Sequence, residues 1–121
     1  MPAFAIDHVQ IAIPVGGEER ARRFFGELLG LDEIAKPPDM AGRGGCWFDL
    51  GAAQLHLGAD PDFRPAAKAH VALRTARLEE LRARLRDAGC ETLDDLALDG
   101  RDRFFTRDPF GNRLEFVEEA R

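Results

Sequence analysis

The chain has 121 residues, 45% of them hydrophobic and 32% charged, and a formal net charge of −5. That is the size of one ordinary domain with a single core. The acidic balance excludes a general nucleic-acid binder, which carries a basic face. No apolar run approaches the roughly 18 residues of a membrane span. The first residues also lack the charged-then-apolar pattern of a secretory leader, so a cytoplasmic protein is expected. Cys46 and Cys90, the two cysteines, form no C-x-x-C and are expected as small core residues.

Taken in order, residues 5–13 alternate cleanly. Val9, Ile11 and Ile13 share one face and His8, Gln10 and Ala12 the other, which predicts a strand stopped by Pro14 and Gly16-Gly17. From Glu18 to Leu29 the period becomes helical, with Ala21, Phe24, Phe25 and Leu28 as an apolar stripe. Glu18/Arg22 and Glu19/Arg23 are expected as i,i+4 pairs. A short strand is predicted over 31–35. A loop follows over 36–45, where Asp39 and Met40 are candidates for a lid. Strands follow over 46–50, with Trp47 and Asp49 on one face, and 53–57, with Gln54 and His56 on one face.

Residues 59–68, with Pro61 and Pro65, read as a linker, and then the pattern restarts. Ala69-His70-Val71 repeats Asp7-His8-Val9 at an offset of 62 residues. A second helix carries Leu78, Leu81, Leu85 and Ala88. Strands are predicted over 90–93, 102–107 and 113–117, the last launched by the turn Asp108-Pro109-Phe110-Gly111-Asn112, whose Pro and Gly supply turn chemistry. The expectation is an α+β protein of two paired βαβββ modules, about 4–58 and 69–118. Curved mixed sheets would enclose a cavity, with helices on the outer face.

By strand parity, His8, Gln10, Trp47, Asp49, Gln54, His56, His70 and Glu115 all lie on the face away from the helices. The protein has only three histidines, and all are on that face. Two imidazoles and a carboxylate suit a divalent ion such as Zn, Ni, Co, Mn or Fe, with positions left open for substrate. Trp47 and Phe105 are candidate substrate-facing aromatics. Arg103, with Arg101, Arg107, Arg64 and Lys68, could hold an anionic substrate group.

Asp7-His8-Val9, Ala69-His70-Val71 and the run from Asp108 to Phe116 resemble the vicinal oxygen chelate superfamily. This is the glyoxalase, bleomycin-resistance and extradiol-dioxygenase superfamily, and the resemblance spans the chain. It implies metal ligands on the first, fourth, fifth and eighth strands: His8, a fourth-strand residue, His70 and Glu115, the last also a catalytic candidate. For the fourth strand, the Gln54-Leu55 dipeptide matches the Glu/Gln-Leu pattern of many members. Gln54 is favoured, with His56 as its rival. The resemblance implies a metal-dependent lyase or isomerase acting on a small oxygenated substrate, or alternatively a non-catalytic protein that sequesters a drug or metabolite. A homodimer is also implied. Ring-cleaving members place a Tyr near iron, and this chain has no Tyr, which disfavours a dioxygenase.

Overall fold

The computed structural model describes residues 2–120. Two compact units meet in sequence at Arg64 and Pro65, and each holds a four-stranded mixed sheet. In the first unit the strands are β1 (His8–Pro14), β2 (Glu33–Ile34), β3 (Cys46–Asp49) and β4 (Gln54–Asp60), in the order β1-β4-β3-β2. In the second they are β5 (Val71–Thr75), β6 (Leu93–Asp94), β7 (Arg103–Arg107) and β8 (Arg113–Glu118), in the order β5-β8-β7-β6. Each sheet has one parallel pair, β1 with β4 and β5 with β8, and antiparallel pairing elsewhere. The architecture is α+β, as the repeated strand–helix–strand pattern predicts.

The period-two pattern decides which face each helix covers. In the first sheet Val9 pairs Leu55 and Ile11 pairs Leu57, while Cys46 pairs Leu57 and Phe48 pairs Leu55. Ile13, Cys46, Phe48, Leu55 and Leu57 are buried. Burial pushes the Cys46 thiol up to about 11, so it stays protonated and inert at neutral pH. Cys90 is only half-buried, and both cysteines are free. In the second sheet Phe104, Leu114 and Phe116 form the buried face. There α2 (Leu78–Asp87) contributes Leu78 and Leu85. Its Arg82 is buried too, lies 5.0 Å over the Phe104 ring and is paired with Glu79, Asp94 and Asp102.

The first helix departs from the regular helix predicted over 18–29. α1 (Glu18–Ala21) runs into a π-helix over Arg22–Leu28. The amide of Leu29 reaches back five residues to the Phe24 carbonyl at 2.9 Å. Phe24 and Phe25 are adjacent and both buried, their rings edge-to-face at 5.0 Å. A wider turn separates neighbouring residues by a smaller angle, which lets both phenyls reach the core. The charged pairs also differ from helix spacing. Arg22 pairs with Glu19 and, across to β2, with Glu33. Glu18 instead accepts the Gly45 amide at 2.7 Å. That bond and Lys36, which donates to the Gly44 carbonyl at 2.6 Å, pin one end of the 36–45 loop. Asp39 and Met40 sit within this loop in a 3-10 helix, Pro38–Arg43.

Other boundaries move by a few residues. β4 runs on to Asp60, and β6 lies at Leu93–Asp94 rather than 90–93. β5 begins at Val71, so His70 stands just ahead of the ladder.

Candidate functional site

The turn before β8 is a knot of hydrogen bonds around one carboxylate. Asp108 Oδ1 accepts the amides of Phe110 and Asn112 at 2.9 and 2.8 Å, and Oδ2 accepts the Asn112 side-chain amide at 2.8 Å. Burial pushes the Asp108 carboxyl above its ordinary value, against the pull of those donors. Gly111 takes the positive φ of 95° that the turn demands. Asn112 Oδ1 accepts the amide of Ala66, whose carbonyl in turn accepts the Arg113 amide. The start of the second unit and the start of β8 are thereby tied together, which fixes the direction in which β8 presents its side chains.

Glu115 is 3% exposed, yet it lies on the face away from α2. Its Oε1 is 2.9 Å from His70 Nε2, and its Oε2 is 3.4 Å from an Arg103 guanidinium nitrogen. The other imidazole nitrogen, His70 Nδ1, is 2.9 Å from the Lys68 carbonyl. Both ring nitrogens of His70 therefore face oxygen acceptors. A neutral imidazole carries one N–H only, so a further proton on the pair, or a metal ion between His70 and Glu115, would satisfy both contacts. Two donors bonded tetrahedrally to one ion at about 2.0–2.1 Å stand about 3.3–3.4 Å apart, so the 2.9 Å separation is that of a direct hydrogen bond, and the pair would open slightly to admit an ion. A backbone carbonyl that orients the far nitrogen is also the usual outer partner of a ligating histidine. The pair therefore fits a divalent ion in donor chemistry, an imidazole nitrogen beside a carboxylate.

The same face holds an aromatic hub. Phe105 takes the edge of His70 at 5.2 Å and lies under two guanidinium groups, Arg103 at 5.3 Å and Arg113 at 4.0 Å. Arg103 is further held by Asp95 at 3.7 Å and by the Leu96 carbonyl. Arg107 donates to the Gly111 carbonyl. Among the described residues, the Lys68 side chain makes no contact with Glu115; Lys68 joins the cluster through its backbone carbonyl only. Arg113 is absent from the sequence-based candidates. The signal was available, because it lies two residues before Glu115 on the same face of a strand.

In the first unit Trp47, His56 and His8 form a three-ring stack. Trp47 and His56 are 3.8 Å apart with 1° between their planes, and His56 and His8 are 4.2 Å apart at 16°. His56 is 6% exposed, whereas His8 is exposed with Nδ1 2.8 Å from Asp7. Burial holds the His56 imidazole below its ordinary value, helped by His8 and opposed by Asp7. His56 Nε2 is 2.9 Å from the Gln54 side-chain oxygen. Ring-nitrogen lone pairs lie in the ring plane, and nearly parallel planes one ring apart do not meet within bonding distance. His8 and His56 thus do not aim at one ion from these positions. Gln10 lies on the same face, its amide against Gly58, where a Cβ would collide with it.

Strand register corrects one expected correspondence. The Gln54-Leu55 dipeptide parallels Glu115-Phe116 and so suggests Gln54 as the counterpart of Glu115. However, Glu115 pairs Ala72, which matches Gln10 in the repeat, and Gln10 pairs His56. His56 therefore holds the position equivalent to Glu115, and Gln54 the one equivalent to Arg113. Among the described residues, no group of three or more His, Cys, Asp and Glu side chains gathers as a metal cluster.

An α+β fold of two four-stranded mixed sheets, each with the same strand order, defines the class of protein. The chain belongs to the Glyoxalase/Bleomycin resistance protein/Dioxygenase superfamily, whose profile matches residues 5–116. Members of this superfamily generally use divalent metals, bind small molecules and form dimers. A glyoxalase family protein from Bacillus anthracis is 45% identical, with a TM-score of 0.93 over 99% of this chain and 98% of that one. A glyoxalase family protein from Enterococcus faecalis is 26% identical, with a TM-score of 0.72 over 94% and 97% of the two chains. Lactoylglutathione lyase from Agrobacterium tumefaciens shares the fold at 20% identity, with a TM-score of 0.74 over 98% and 96%. Among curated proteins none matches in sequence.

Proposed function

We propose that this chain is a metal-dependent lyase or isomerase of the glyoxalase type, acting on a small oxygenated substrate. The observation that carries this reading is the His70–Glu115 pair, a buried carboxylate facing an imidazole whose two nitrogens both meet acceptors. The proposed ligands are His70 and Glu115 with His8 and Gln54. His56 is the rival of Gln54: register favours it, but its engagement between Trp47 and His8 opposes it. When bound, the ion supplies a Lewis acid that polarises a substrate oxygen.

The chain's own groups supply the rest. Lys68 holds His70 Nδ1 and so presents Nε2 toward Glu115. Arg103 offsets the Glu115 charge at Oε2, which lowers the cost of burying that carboxylate. Glu115, as the proposed catalytic group, accepts and returns a substrate proton. Gln10, Trp47, His56, Arg103 and Phe105 are proposed to contact substrate. A homodimer in the cytoplasm is the proposed setting. Each sheet has unpaired edges, and Phe4, Ile6 and Leu96 are exposed at 92%, 67% and 82%, which are reasons to pair.

The test is metal analysis of untagged protein, with melting followed on adding Zn, Ni, Co, Mn or Fe(II). At a metal concentration of 100 Kd the stabilisation is about 2.7 kcal/mol, a rise in Tm on the order of 10 °C. His70→Ala should abolish it. Protein that purifies without metal and melts unchanged with every ion would sink this reading. The parallel imidazole planes of His8 and His56 favour a second one, in which the stack serves as a platform for a sequestered drug or metabolite without chemistry. A bound ligand recovered unaltered after prolonged incubation with metal-loaded protein would support it.

A further inference from the structure

We propose that Arg113 and the cavity beside it form a subsite for the carboxylate of a small organic anion with an apolar body. This deepens the reading above by naming the charge class of the substrate, and it rests on that reading only for the word substrate.

The cavity lies wholly within the second unit and has a volume of about 500 Å³, within the range of small-molecule sites. Arg113 lines it, with its guanidinium 4.0 Å over the Phe105 ring. That contact takes none of the five N–H donors, whose fork matches a carboxylate. The other arginines of this region are already engaged. Arg103 holds Glu115 and Asp95, Arg82 holds three carboxylates, and Arg107 donates to Gly111. Among the described residues no carboxylate lies within ion-pair reach of Arg113, and no acceptor takes its side-chain N–H groups.

The charges around the cavity are mixed. Glu91, Asp94 and Asp95 line it together with Arg107 and Arg113. Asp94 is 3.4 Å from Arg82, and Asp95 is 3.7 Å from Arg103. Each of those two arginines is shared among several carboxylates, so the lining carries no positive excess; of its two arginines, Arg107 donates to the Gly111 carbonyl and Arg113 is the one that keeps its donors. Ala67, Leu93 and Phe105 supply apolar wall. Phe105 also touches His70 edge-on. A carboxylate held by Arg113 would thus sit one phenyl ring away from the imidazole that faces Glu115, and the body of the molecule could extend toward the reacting groups.

The experiment is calorimetric titration of metal-free, chelator-treated protein with benzoate and, separately, with benzamide, which has the same shape and no charge. Benzoate should bind in the millimolar range and at least about tenfold tighter than benzamide, weakening as salt is raised. Arg113→Met keeps the stem over Phe105 and should lose about tenfold or more. Glu91→Gln removes the opposing charge and should tighten benzoate about two- to threefold. No benzoate binding, equal binding of the two probes, full affinity in Arg113→Met, or binding only after metal is added would each overturn the proposal. Should Arg113→Met fail to fold, Glu91→Gln decides, and unchanged benzoate affinity there overturns it. Because no metal is present, failure here leaves the metal reading standing, and failure of the metal reading leaves this one standing.

Discussion

At the scale of single residues, the protein places its charges where neighbours make them useful. Glu18 shows this away from the site. It is one helix turn from Arg22, yet its carboxylate closes the loop by accepting the Gly45 amide, and this bond is the first cause holding its carboxyl below the ordinary value of 4.5. A carboxyl depressed in the folded state contributes stability that is fully present above the unfolded value and is lost as pH falls through the folded one. Glu18→Gln should therefore lower the urea midpoint at neutral pH, and the gap from wild type should close as pH drops below 4.5. A gap that stays constant down to acid pH would show that the charge is not what stabilises the loop. Gly45 is the matching half of this contact. It has a positive φ of 78°, and a Cβ there would overlap the Leu57 carbonyl oxygen, so only glycine brings its amide so close.

At the scale of elements, β8 and its turn do the positioning. Asp108 gathers two backbone amides and one side-chain amide, and Asn112 ties the turn to Ala66. Asp108→Ala leaves these donors without their acceptor in a buried place, a cost of about 1–3 kcal/mol. Because the turn aims Glu115, metal affinity should fall as well. Asp108→Asn keeps one acceptor oxygen and should lose less on both counts. Equal urea midpoints for wild type and Asp108→Ala would mean that the turn is held by its chain path and not by this carboxylate. The first helix makes a different point about elements. Its heptad-like stripe predicts a helix correctly, but burying adjacent Phe24 and Phe25 widens it into a π-helix, because packing outweighs the modest preference for regular α geometry.

At the scale of the molecule, each unit repeats one topology, with a single parallel strand pair joining its first and last strands. The two copies have diverged in chemistry at matched positions: His56 stands where Glu115 stands, and Gln54 where Arg113 stands. One copy holds an aromatic stack and the other a charged pair. The proposed homodimer is tested by sedimentation at micromolar protein, where a dimer is expected. A monomer across that range would remove it, and Leu96→Glu should weaken the dimer if the exposed apolar residues form its contact.

The sequence alone determines the class of fold and the membership of each sheet face, because both rest on local periods of two and 3.6 residues that any stretch of chain displays by itself. His8, Gln10, Trp47, Asp49, Gln54, His56 and Glu115 alternate with the apolar residues of their strands in the structure, as parity predicts, with His70 just ahead of β5 and Arg103 and Phe105 on the face of Glu115. Register, by contrast, is set by strands far apart in the chain. Only the tertiary structure decided that His56, and not Gln54, is the counterpart of Glu115, that His8 stacks on His56, and that Arg103 is occupied by Glu115 while Arg113 keeps its donors. Such partnerships depend on where distant backbones meet, and composition and spacing along one strand carry no record of that.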